Sequence, residues 1–141
     1  MNFNKILVGV DDSADALKAF DYAINFAKQN SAELDIISVL EEHDINVYES
    51  LDKDFIHGKY RDLAEHLTKY QRQAQKAGVS QVKTLTAKGN PGETIVKQII
   101  PQLQPDLLII GSLAKKGLAR HLGSQAAYMA KYAPISVWVI R

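Results

Sequence analysis

Apolar residues fall along the chain in short blocks of two kinds. KILVGV (Lys5 to Val10), LDIISVL (Leu34 to Leu40), DLLII (Asp106 to Ile110) and ISVWVI (Ile135 to Ile140) are rich in β-branched residues and largely apolar at odd and even positions alike. A strand that must hide both faces reads this way, as in a parallel sheet covered on both sides. VSQVKTLTA, Val79 to Ala87, alternates more and predicts a strand nearer an edge.

The blocks between them have helical spacing. Ala16, Ala19, Phe20, Ala23 and Ala27 form one stripe, and Leu63, Leu67, Tyr70, Ala74 and Ala77 a second. Ile95, Ile99 and Leu103, widened by Val96 and Ile100, form a third, and a shorter fourth runs through Ala126, Met129, Ala130 and Ala133. Start and stop signals agree with these placements. Ser13 can cap the first helix, Asn90-Pro91-Gly92-Glu93 puts a cap, an N1 proline and an N3 glutamate in register, Gly78 ends the second helix and Pro134 stops the fourth. EEHDINVYESLDKDFIHGK, Glu41 to Lys59, has mixed charge and no period, which predicts a mobile excursion before the second helix.

The order is therefore β-α-β-α-β-α-β-α-β. Parallel strands need right-handed crossovers, so helices must cover both faces of one open, doubly wound five-stranded parallel sheet. With 141 residues and no internal repeat or linker, residues 1 to 141 are expected to form a single domain.

Composition narrows the chemistry. Seventeen basic and 16 acidic residues leave a net charge of +1, so no overall field draws the protein to nucleic acid or anionic lipid. No run approaches membrane length and the N-terminus does not read as a signal peptide. Absence of cysteine excludes disulfides, thiolate catalysis and thiol-based zinc sites, and suits a cytoplasmic protein. His43, His57, His66 and His121 have no metal-ligand spacing, and none is tied by sequence to a serine nucleophile. The sequence nominates no catalytic residue and no metal ligand.

In open α/β sheets ligands sit beyond the carboxyl ends of strands, where the strand order reverses. VDDS after the first strand and GSLAKKGLARHLGS, Gly111 to Ser124, after the fourth are the features at such ends. Together with GNPGETIVKQI, PDLLIIGS and LGSQAAYMAKYAPISVWVIR, they make the whole chain resemble a universal stress protein domain. The resemblance implies a sheet in the order 3-2-1-4-5, with Asp11 near Gly111, and a dimer formed often through the last strand. It also implies an ATP-binding pattern, G-x-x-G-(x9)-G-[ST]. Gly111 matches the first glycine and Gly123-Ser124 the final pair, but Ala114 replaces the second glycine and only eight residues separate it from Gly123.

On this resemblance Asp11 meets the nucleoside, the backbone at Val39 lines the adenine pocket, Gly111 admits the ribose, and Gly123 with Ser124 holds phosphate. The helix start supplies free N–H groups and the positive end of a dipole. Mg²⁺ would arrive with the nucleotide, carried by phosphates and water. Each residue also has a plainer reading: Asp11 as a first-turn acid, Ser124 as a helix cap, and Lys115, Lys116, Arg120 and His121 as solvated loop charges. Trp138 fits either an ordinary core position or a dimer contact. Two functions follow, a stress-linked regulator that binds ATP or a related adenine nucleotide without catalysis, and a homodimeric interaction protein that binds none. A response-regulator receiver is disfavoured, because strand three ends in TLTAKGNP without an acceptor aspartate. GVDDSA lacks the three spaced glycines of a dinucleotide site.

Overall fold

The computed structural model describes residues 3–41, 46–112 and 122–141. Five strands, β1 (Lys5–Gly9), β2 (Glu33–Leu40), β3 (Val82–Lys88), β4 (Leu107–Gly111) and β5 (Ser136–Ile140), form one parallel sheet in the order β3-β2-β1-β4-β5. The three inner strands carry the buried runs, and β3, which alternates, is an edge.

Alternation along the strands sends side chains to two separate cores. Ile6 and Val8 of β1, Ile36 of β2 and Ile109 of β4 meet Phe20, Ala23 and Ala27 of α1 (Ala14–Asn30) and Leu67 and Ala74 of α3 (Lys53–Ala77). Leu7, Ile37, Leu108 and Ile110 point the other way. They meet Ile95, Ile99 and Ile100, and also Met129 of α6 (Ser124–Tyr132). Helices thus cover both faces, as two-sided burial of the strands requires. Trp138 is only partly buried and packs edge-on against Phe26 at 4.6 Å and Phe3 at 6.0 Å, at the rim of the first core.

The third helical segment is not uniform. It begins as α4 (Pro91–Thr94), widens into a π-helical turn over Ile95–Ile99, where Ile100 N–H bonds the Ile95 carbonyl, and continues as α5 (Ile100–Leu103). The wider turn directly precedes Pro101, which has no N–H and whose ring would press on the carbonyl four residues back in a regular helix.

The expected excursion is a correction. Residues 42–45 lie outside the described ones, but a short helix, α2 (Val47–Ser50), is present and α3 begins at Lys53. Asp52 caps α3 by accepting from the N–H groups of Asp54 and Phe55, a start that hydrophobic periodicity could not reveal because of α3 only Leu67 and Ala74 are buried. Ser13 caps α1 and Gly78, at φ 113°, closes α3, as their positions suggest. Asn90 stands at the cap position of α4 without a capping hydrogen bond. Among the described residues no helix is long and apolar enough to cross a membrane.

Candidate functional site

β1 lies between β2 and β4, and the crossovers from β1 and β4 leave to opposite faces, so a crevice opens at the carboxyl ends of these strands. A cleft of about 80 Å³ lies there. Ile37 and Val39 of β2, Ile95, Ile110 and Met129 give it an apolar wall, and Asp11 and Gly111 border it on the β1 and β4 sides. Its mostly apolar lining with few polar groups suits part of a small organic ligand.

The close approach of β4 to α1 depends on Gly111. A Cβ there would lie 2.7 Å from the Ala16 nitrogen and the Asp15 carbonyl carbon, inside hard contact distance. The missing side chain therefore first serves packing against the start of α1, while the backbone borders the cleft. Next to it Ser112, buried, donates its hydroxyl to Asp15 at 2.5 Å and its N–H to the Ile140 carbonyl at 3.0 Å, and its own carbonyl accepts from Gly123 N–H at 2.9 Å. One residue thus joins the ends of β4 and β5 to the starts of α1 and α6.

That last bond brings Gly123 to within two residues of Gly111 across a long stretch of sequence. Gly123 is the cap residue of α6 and Ser124 its first helical residue, and no side chain caps the helix, so Ser124 is not the cap that the sequence suggested. Among the described residues no side chain caps the first N–H groups of α6. Gly123 and Ser124 adjoin the cleft through Ser112 and are not part of its wall. Ala114, Lys115, Lys116, Arg120 and His121 lie outside the described residues, as does His43.

Asp11 is exposed. One of its oxygens accepts from Ser13 N–H at 3.0 Å, which makes it a turn residue as well as a cleft residue. Beyond Asp11 and Val39 a second, more polar groove of about 510 Å³ continues toward α3, past Asp12, Glu41, Asp62, His66 and Tyr70. Sequence reasoning missed this wall. His66 and Tyr70 meet Asp12 from 54 and 58 residues away, and no local signal marks them. Burial, then the hydrogen bond to Asp12 and the nearby charges of Asp12 and Asp11, hold the Tyr70 phenol well above its usual range, so it remains a donor. Among the described residues no three acidic or histidine side chains converge to hold a metal ion.

The universal stress protein family model matches residues 2–141. The chain belongs to this family. A universal stress protein of Staphylococcus haemolyticus is 34% identical over 143 residues, covering 100% of this chain and 86% of the relative. The universal stress protein UspA from Lactobacillus plantarum has the same fold, with a TM-score of 0.86 at 24% identity over 100% of this chain and 99% of that one. Two further family structures align with TM-scores of 0.75 and 0.69 at 22% and 20% identity. They cover 100% of this chain, with 98% and 100% of their own, and contain cAMP in the first and dAMP in the second, which is from Archaeoglobus fulgidus.

Proposed function

We propose that this universal stress protein binds ATP or a related adenine nucleotide in the cleft between the ends of β1 and β4, as a cytoplasmic, stress-linked regulator rather than a catalyst. The observation that carries the reading is the convergence of Asp11, Val39 and Gly111 on one cleft, with the uncapped start of α6 tied beside it. The presence of cAMP and dAMP in two proteins of the same fold agrees with it.

The residues suit the parts of a nucleotide. Val39, with Ile37 and Ile95, offers an apolar surface for a flat base, and the carboxylate of Asp11 can accept from ribose hydroxyls. Gly111 presents backbone to the sugar. Gly123 and Ser124 open α6, whose first N–H groups and dipole favour phosphate, and the Ser124 hydroxyl adds a donor. Mg²⁺ would come with the nucleotide, carried by phosphates and water.

Calorimetric titration of nucleotide-stripped protein with Mg-ATP, beside AMP and cAMP, tests the reading. Saturable heat with ATP that weakens for AMP supports a phosphate cradle at α6. Equal affinity for all three would place recognition in the nucleoside alone, and no saturation into the millimolar range would overturn nucleotide binding. In that last case the edge strand becomes the functional feature. β5 has β4 as its neighbour on one side, and Val137 to Ile140 are only half-buried, which suits pairing with a second copy. We therefore assign a homodimer through β5 in either case, and sedimentation equilibrium at micromolar concentration checks it.

A further inference from the structure

Asp12, Ser31 and Gln104 have left-handed backbone without being glycine. Any Cβ disfavours this region, least so for Asp and Asn. Ser31 and Gln104 adopt it as the closing residues of α1 and α5, where their N–H groups complete the last turn. Asp12 closes no helix. It stands at φ 66° between Asp11 and the α1 cap Ser13, so something else must hold it.

Side chains of α3 do so. One carboxylate oxygen of Asp12 accepts from the Tyr70 hydroxyl, and the other meets His66 Nδ1 at 3.1 Å. The Tyr70 ring is not free to follow the turn, because it packs edge-on against Phe20 of α1, which is 1% exposed, with ring centroids 5.0 Å apart. The core thus delivers the hydroxyl to a fixed point. His66 and Asp12 are more than half exposed as side chains, so their contact adds little and Tyr70 is the anchor. Asp11, whose oxygen bonds Ser13 N–H across Asp12, takes its direction from the same turn.

We propose that Tyr70, assisted by His66, is a positioning residue for the nucleotide cleft: by anchoring Asp12 it fixes the β1–α1 turn and aims the neighbouring Asp11 carboxylate at the ligand. The ligand half of this rests on the nucleotide reading above; the turn half does not.

Tyr70→Phe keeps the ring on Phe20 and removes only the anchor. Two readouts are taken, Mg-ATP affinity by calorimetry and, without ligand, hydrogen exchange at the Ser13 amide by NMR. Each should change by about three- to tenfold, the range for one modest hydrogen bond. Asp12→Asn keeps an acceptor and tolerates left-handed backbone, so it should stay within about twofold of wild type on both. Asp12→Ala loses the same bond and adds the cost of left-handed backbone at alanine, so it should be at least as affected as Tyr70→Phe, and the double variant should be no worse than Asp12→Ala alone. Unchanged affinity and exchange in Tyr70→Phe overturn the proposal. So do additive effects, or an affinity loss with no change at Ser13, which would put Tyr70 on the ligand itself. If wild type binds no Mg-ATP and Tyr70→Phe still loosens Ser13, the nucleotide reading falls while the turn-setting role stands.

Discussion

Asp35 has no exposed surface, lies in β2 opposite Leu7 and Lys83, and finds no donor for either oxygen. Two residues earlier on the same face is Glu33, which meets Lys83 at 3.3 Å and Lys5 at 3.8 Å. Burial first, then the neighbouring carboxyl of Glu33 and its like charge, push Asp35 up from 3.8 to about 6, against a smaller opposing pull from Lys5 and Lys83. Two carboxyls can hydrogen-bond only if one carries a proton, so an acid lacking a donor and facing another acid is stabilised by holding that proton.

The sign follows from where protons sit. Between pH 3.8 and about 6 the folded chain binds more protons at Asp35 than the unfolded chain does. Its contribution is complete below the lower value and is lost as pH rises through the upper one. A shift of roughly two units corresponds to about 3 kcal/mol. Asp35→Asn cannot ionise and offers an N–H to Glu33, so it should remove this dependence. In urea unfolding at pH 4, 5, 6 and 7, the stability of the variant relative to wild type should rise with pH by roughly 2 kcal/mol. Taking the difference cancels other titrating groups. A difference that stays flat across the series, or that falls with pH, would refute the argument.

Three further outcomes follow from the fold and the cleft. Gly111→Ala forces backbone at Asp15 and Ala16 to move, so it should lower stability by about 1–3 kcal/mol even without ligand, seen as a lower Tm; an unchanged Tm would contradict the packing role. Gly123→Asp is compatible with the φ of −62° and makes a better cap for α6, so Tm should hold or rise while the new charge abolishes Mg-ATP binding and leaves the dimer intact in sedimentation. Loss of the dimer together with binding would remove Gly123 from the ligand site. Ser13→Ala deletes the oxygen that accepts from Ala16 N–H at 3.2 Å and should cost about 1 kcal/mol in chemical denaturation.

The strands and most helices were legible because each is a local pattern. Two-sided apolar runs such as LLII suit covered strands, and the stripe from Ala16 to Ala27 suits a core-facing helix, as both prove to be. The start of α3 was not legible, since it is set by the Asp52 cap and presents mostly polar residues to water. The π-turn before Pro101 also escaped, because periods of 3.6 and 4.4 residues are not separable over five positions. At the candidate site, Asp11, Val39 and Gly111 were nominated through the family resemblance, and the structure places all three along one cleft. Ser124 was misassigned as the cap, because a sequence shows a serine beside a glycine and not which one has the extended backbone.

By itself the sequence determined the element order, the two-faced burial of the inner strands and the family, all of which are written in short-range patterns and whole-chain similarity. Only the tertiary structure decided why Gly111 must lack a side chain, what pins Asp12 in left-handed backbone, and which acid is left without a donor. Each of these depends on atoms that approach from distant parts of the chain, α1 beneath β4, Tyr70 beneath the β1–α1 turn, Glu33 beside Asp35 between two lysines. Sequence records which groups are present; steric contact, strain and desolvation arise only once folding sets the distances between them.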